Sequence, residues 1–279
     1  MGVDFVPAYR TGAAGVREIT AVEPASAPPP APPAPSAPPP EPVAARREAA
    51  RPAAAPEVVV KVAAPRAEPS AAPPAGKDRA AAEKQLAALR ARYEAEAPHK
   101  AFDTTFNQIV FGEGDAAARL CFVGEAPGED EDRTGRPFVG RAGQLLEKMI
   151  IAMGLTRADV YICNVLKTRP PGNRTPTQDE VAACKPFLLE QLAIVRPEVV
   201  VGLGLSATHA LLETVDAMSR LRGRWWSIRD AEGSEIPFMP TYHPAFLLRS
   251  YTDENRAKVW ADLKMVMEKL GMGAVAAKK

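Results

Sequence analysis

The chain is poor in the residues that staple or anchor a protein. Its 279 residues include only three cysteines, Cys121, Cys163 and Cys184, and no two of them form a C-x-x-C pair. Neither a disulfide framework nor a thiolate zinc site is expected. Scattered thiols suit a reducing compartment, so a cytoplasmic location is expected. No run approaches the roughly 18–20 apolar residues of a membrane span, and no membrane association is expected. The opening residues MGVDFVPAYRTG lack a basic end followed by an apolar core, which argues against a signal peptide. An excess of one charge is also missing, with 35 Lys and Arg against 34 Asp and Glu. That balance excludes a histone-like basic protein but leaves room for nucleic-acid binding by a local basic face. Histidine is equally scarce, with three in the chain.

Proline is abundant and unevenly placed. More than half of the 29 prolines fall within residues 22–76, among Ala, Glu and Arg. Runs such as Pro28-Pro29-Pro30 cannot continue a helix or donate to a sheet. With few large apolar residues to offset its ordering entropy, a disordered Pro/Ala-rich tail is expected over 1–77. The tail is a candidate partner-docking segment, Val58-Val59-Val60 being its one apolar hint. Residues 78–97 read as an amphipathic helix leading into the domain, with Leu86, Leu89 and Tyr93 at helical spacing. The folded domain is expected over 98–272, followed by a flexible C-terminus over 273–279.

From residue 119 the pattern alternates between strand and helix. Arg119–Gly124, Val160–Leu166 and Glu198–Leu203 are short apolar runs that read as buried strands, and Arg224–Ile228 and Ile236–Thr241 as further strands. Between them, Ala142–Met153 reads as a helix. Thr177 with Glu180 makes a capping box for a helix to about Val195, and Ser206 is the expected cap of a short helix ending at Leu212. Asn255–Leu270 is the last expected helix. The expected fold is therefore α/β, a three-layer α/β/α sandwich around a mainly parallel four-stranded sheet. In such sheets ligands bind beyond the carboxyl ends of the strands. The segments that follow those ends are chemically distinctive. GEAPGEDEDRTGRPFVG after the first strand is Gly- and Pro-rich without the Lys-Ser/Thr of a Walker loop. Its carboxylates Glu129–Asp132 do not have EF-hand spacing, and no metal is expected there.

Three blocks give the sequence a family likeness. GEAPGEDEDRTGRPFVGRAGQLLEKM, NVLKTRPPGNRTPTQDEVAAC and TYHPAFLLR resemble, in that order, the conserved motifs of the type-4 uracil-DNA glycosylases. The resemblance covers about residues 107–270. It implies an enzyme that flips uracil out of DNA and hydrolyses its N-glycosidic bond in base excision repair, with uracil-containing DNA as its partner and the 1–77 tail as a candidate docking segment for a repair or replication protein. It also implies roles for individual residues. Phe138 would stack on the flipped base, and Asn164 would read its Watson–Crick edge with one acceptor and two donors. His243 would donate to uracil O2 as charge develops there. Glu125 and Glu131 would place water or stabilise the sugar cation. Ala126 lines the substrate where other branches of the superfamily carry a water-orienting aspartate. Arg169 and Arg174 would meet DNA phosphates, as would the run Arg220, Arg222 and Arg224. Leu247, Leu248 and Arg249 resemble the wedge that fills the gap left by the base.

The likeness fails at one feature. Type-4 members hold an iron–sulfur cluster on four cysteines, and here the corresponding positions are Ala97, Lys100, Thr168 and Cys184. Cluster assembly needs four thiolates, so no cofactor is expected. Cys121 and Cys163 fall within strands and read as small core residues, and Phe102, Phe106 and Ile109 are the candidates to pack where the cluster would be. A catalytically silent DNA- or damage-binding module of the same fold is the alternative reading.

Overall fold

The computed structural model describes residues 77–102 and 105–273. The expected tail and flexible C-terminus, Lys77 and Gly273 aside, lie outside the described residues. Helix α1 (Arg79–Glu96) starts on Asp78, whose carboxylate accepts from Ala81 N at 3.1 Å. There follow strands β1 (Glu113–Gly114) and β2 (Leu120–Gly124), then helices α2 (Glu129–Thr134) and α3 (Arg141–Ala152). Strand β3 (Tyr161–Asn164) leads to α4 (Gln178–Val195), which opens with the expected Thr177–Glu180 capping box. The rest runs β4 (Val199–Leu203), α5 (Leu205–Leu212), α6 (Met218–Leu221), β5 (Trp226–Arg229), β6 (Glu235–Thr241), α7 (Pro244–Arg249) and α8 (Asp253–Lys269).

The six strands lie in the order β1-β3-β2-β4-β6-β5. The inner four, β3, β2, β4 and β6, run parallel, and they are the sheet expected from the pattern. Two antiparallel edge strands correct the count of four: β1 against β3 and β5 against β6. A two-residue edge strand such as β1 has no periodicity to read, because its partner, not its composition, makes it a strand. The residues after Gly128, expected as loop, include the short helix α2 with four acidic residues in its first turn, which suits the positive end of the helix dipole. Helix α5 is capped by Gly204 at φ +90°, not by Ser206; the chain leaves β4 in a conformation that favours glycine.

Strand side chains alternate between two hydrophobic clusters, as a period of two requires. Cys121, Val123, Cys163 and Val200 face the cluster shared with α1, α4 and α5. Leu120, Phe122, Ile162 and Val201 face the cluster shared with α3 and α8. A parallel sheet covered on both faces has no solvent side, which is why its strands read as unbroken apolar runs. The three-layer architecture follows, and it brings the C-terminal ends of the four parallel strands to one edge of the molecule.

That edge is tied down by a buried ion pair. Asp262 of α8 is fully buried and accepts from Arg222 Nε (3.1 Å) and Nη2 (2.7 Å), and from Thr241 Oγ1 at 2.7 Å. Thr241 ends β6 two residues before His243, so the pair fixes where the following loop leaves the sheet. Arg222 is thereby removed from the basic run expected to face DNA. Asp262→Ala would strand the Arg222 charge in the interior and is expected to destabilise the fold by about 3–5 kcal/mol. Thermal melting checks this; an unchanged midpoint would show that the pair does not hold the α8–β6 junction.

Candidate active site

A cavity of about 700 Å³ opens where the parallel strands end. Each strand delivers a wall: Glu125 and Ala126 follow β2, Asn164 ends β3, Gly204 and Leu205 follow β4, and Tyr242 and His243 follow β6. Phe138 joins them from the loop between α2 and α3. This is the location that a parallel sheet offers a ligand.

The floor depends on a missing side chain. A Cβ at Gly124 would lie 2.4 Å from Asn164 Oδ1 and 2.4 Å from the Phe138 ring, so only glycine lets the amide and the ring converge. Phe138 is 7% exposed and belongs to the same core cluster as Phe122 and Leu146 while it lines the cavity, so it serves both places. Its backbone is left-handed at φ +52°, unusual for a bulky residue. Asn164 is 1% exposed, and its Oδ1 is buried with no hydrogen-bond partner among the described residues. Leaving such an acceptor unmet costs about 1–3 kcal/mol, so this oxygen is suited to a donor brought by a ligand.

Below Asn164 lies a residue that the sequence did not mark. Lys167 is fully buried; its Nζ donates to Asn164 O at 2.6 Å and to the side-chain oxygen of Gln191. Gln191 Nε2 in turn donates to Phe111 O (2.9 Å) and meets Tyr161 Oη (3.1 Å). Burial pushes the Lys167 pKa down. The network locks the end of β3 to α4.

His243 caps α7, its Nδ1 accepting from Ala245 N at 3.1 Å. Burial, helped by the Arg249 cation, pushes its pKa down to about 4. The ring is therefore neutral near neutral pH, and with Nδ1 an acceptor the proton sits on Nε2. The imidazole lies 5.7 Å from the Phe138 ring, centre to centre, and lines the cavity.

The two carboxylates differ in their commitments. Glu131 is held in α2: its Oε1 accepts from Val139 N and Gly140 N, both at 2.8 Å, and its Oε2 from Gly128 N at 3.1 Å. It fastens the loop that carries Phe138. Glu125 lines the same cavity, and no hydrogen bond or ion pair engages its carboxylate among the described residues. The Ala126 side chain, on the same wall, carries no polar group.

The expected DNA-facing residues divide similarly. Arg174 forms a two-pronged pair with the buried Glu180, 2.7 Å on each prong, and so also braces the start of α4. Arg169 Nε donates to Asn173 Oδ1 at 2.7 Å. Arg249 is exposed on the rim, and no ion pair engages it among the described residues. Leu247 is 3% exposed and belongs to the core, which removes it from the expected wedge. Leu248 is half-buried and outside the cavity lining. Phe246, which the sequence did not single out, is on the wall and stacks on Tyr242 with ring centres 4.8 Å apart.

The residues present do not fit a four-cysteine cluster. Cys121 and Cys163 are buried in adjacent strands, and the Cys184 thiol lies 3.7 Å from Tyr93 Oη. Tyr93 is fully buried at the end of α1, its ring stacked on His99 (5.3 Å) and edge-on to Phe187 (4.9 Å). Phe106 meets His99 edge-on at 4.9 Å, and Tyr93 also packs against Phe111 and Phe187. Among the described residues no group of three or more His, Cys, Asp or Glu is arranged to hold a metal ion.

Fold and cavity together define an α/β protein with a substrate-sized, aromatic- and amide-lined pocket at its strand ends. The family model of the Uracil DNA glycosylase superfamily matches residues 111–264, and the chain belongs to that superfamily. It is 46% identical over 162 residues to a type-4 uracil-DNA glycosylase of Thermotoga maritima, covering 56% of this chain and 80% of that protein. Over 171 residues it is 42% identical to the type-4 uracil-DNA glycosylase of Archaeoglobus fulgidus, covering 60% of this chain and 84% of that one. A type-5 uracil-DNA glycosylase of Pyrobaculum aerophilum is 37% identical over 147 residues, covering 47% and 63%.

Two outcomes are expected. Histidine nitrogen shifts followed from neutral pH downward will hold the Nε2–H tautomer of His243 to a midpoint at about 4, against about 6.5 for a solvated ring. A midpoint at the solvated value would mean that water reaches the imidazole freely. Treatment with ferrous iron and sulfide will give no visible sulfur-to-iron band, whereas about four irons per chain would contradict the thiolate count.

Proposed function

We propose that this protein is a uracil-DNA glycosylase that takes uracil flipped from DNA into the cavity and hydrolyses its N-glycosidic bond, leaving an abasic site for base excision repair. The observation that carries this reading is the unpartnered Oδ1 of Asn164 beside the Phe138 ring. A flat base with a donor at N3 answers both: the ring stacks on it, for about 1–3 kcal/mol, and N3–H meets the amide oxygen. The Asn164 amide donors then face O4, which cytosine replaces with an amino group.

As the bond between C1′ and N1 breaks, its electron pair stays with uracil and negative charge spreads to O2. A neutral His243 with its proton on Nε2 supports that anion more than it supports the neutral base, so it acts on the chemical step. Water adds its oxygen to C1′, and its proton ends on uracil. Glu125, the uncommitted carboxylate, is the group we assign to place that water. Glu131 acts through the loop it fastens, a positioning role in place of direct contact. Arg249, Arg169 and Arg174 supply phosphate contacts, and Leu248 with Phe246 the apolar surface beside the vacated stack.

An oligonucleotide with a single uracil, treated with protein and then alkali, will break at the uracil. His243→Ala will slow single-turnover cleavage by about 10²–10³ while DNA affinity changes little. Asn164→Asp will lose cleavage more than binding to uracil-free DNA. Binding without cleavage by the parent protein would replace this reading with a silent damage-binding module.

A further inference from the structure

The stacking residue of the proposed site sits in a conformation it would not choose alone. A left-handed backbone costs a side-chain-bearing residue about 1–2 kcal/mol, and Phe138 at φ +52° carries a bulky ring as well. Something outside the loop has to hold it. On the far side of the loop, in the turn before β3, stands Arg157, with its side chain 15% exposed. Its Nη1 donates to Phe138 O at 3.1 Å, and its Nη2 donates to Pro137 O. Its Nε donates to Glu113 Oε1 at 2.8 Å. Glu113 also receives both prongs of Arg136, at 2.8 and 2.7 Å. The planar fork of arginine thus spans two successive carbonyls and a carboxylate, a geometry that a lysine cannot reproduce.

The opposite side of Phe138 is held as firmly. Glu131 takes the N–H groups of Val139 and Gly140. Gly143 of α3 lies directly beneath, where a Cβ would fall 1.9 Å from Phe138 O. Four successive residues, 137 to 140, therefore have backbone groups bound by side chains from outside the segment. None of this touches the cavity through Arg157 itself, which is absent from the lining.

We propose that Arg157, oriented by Glu113, is a positioning residue for base excision: it holds Phe138 in the left-handed conformation that sets the ring against the flipped base. The proposal rests on the assignment of Phe138 as the stacking residue. It separates the site into groups that meet uracil and a remote clamp that fixes the angle of one of them. A remote group of this kind acts on pocket preorganisation and leaves phosphate contacts alone.

A double-mutant cycle tests it, read by two measurements: inhibition by free uracil, which reports the pocket without DNA, and single-turnover cleavage of a uracil oligonucleotide. Arg157→Met keeps the stem and removes the donors. It is expected to weaken uracil inhibition and slow cleavage by about tenfold each, the scale of one or two lost charge-assisted hydrogen bonds. Affinity for uracil-free DNA is expected to stay within about twofold. Arg157→Lys, which keeps the charge and one donor, will fall between parent and Met, and serves should the Met variant fold poorly. In a Phe138→Ala background the Arg157 substitutions are expected to add less than about twofold, because the group they act through is gone. If the losses multiply in the double variant, Arg157 does not act through Phe138 and the proposal is wrong. Equal losses in uracil-free DNA binding would likewise overturn it. If Phe138→Ala alone leaves uracil inhibition and cleavage intact, the stacking assignment itself fails and the clamp falls with it.

Discussion

Everything in the site depends on how closely β2, β3 and the Phe138 loop approach one another at Gly124. A single methyl group there would collide with both Asn164 and Phe138. The approach is enforced from below and from the side. Lys167 binds the Asn164 carbonyl from within the core, and Arg157 and Glu131 bind the backbone on either side of Phe138. Such a cluster is costly. It buries an amine, strains a backbone and leaves an acceptor without a partner among the described residues. Costs of this kind gather where preorganisation is needed, because a group already in place needs no reorganisation when charge develops.

His243 obeys the same logic. Its Nδ1 is used by the start of α7, and burial keeps the ring neutral, so tautomer and charge are both set by the fold before any ligand arrives. The buried Asp262–Arg222 pair extends that control one step further out, since it anchors Thr241 and α8 where the His243 loop departs. The region around Tyr93 does comparable work for α1. With Leu89 it seats the helix on α4, and its hydroxyl meets Cys184 in a patch of stacked and edge-on rings. Aromatic packing there supplies a covered, contiguous apolar patch around the Cys184 thiol.

The regular core was legible because its signals are local. An apolar run such as Val199–Leu203 has no other use than a strand buried on both faces, and Thr177 with Glu180 states where α4 begins. Phe138, Asn164 and His243 were singled out by the three motif blocks that give the sequence its family likeness, each with side-chain chemistry suited to a base. The structure brings all three to one cavity. Leu247 misled because a sequence motif does not say which face of a six-residue helix is turned inward. Arg222 misled because its partner, Asp262, lies 40 residues away. Arg157 and Lys167 gave no sign at all: an arginine in a turn and a lysine after a strand are ordinary surface residues until the chain closes over them.

The sequence by itself determined the layer order and the parallel core, because periodicity and capping act over a few residues, and the likeness of its motifs singled out the groups proposed to meet a base. Only the tertiary structure decided which of those groups remain available. Two glutamates stand six residues apart after β2; one is bound by three backbone N–H groups, and among the described residues no side chain or backbone group engages the carboxylate of the other. That difference arises from where the α2–α3 loop folds back. The backbone conformation of Phe138 is likewise fixed by Arg157 and Glu131, which packing and not chain spacing brings to it. The proton position on His243 is set locally by Ala245 N, but burial in the folded chain keeps the ring neutral.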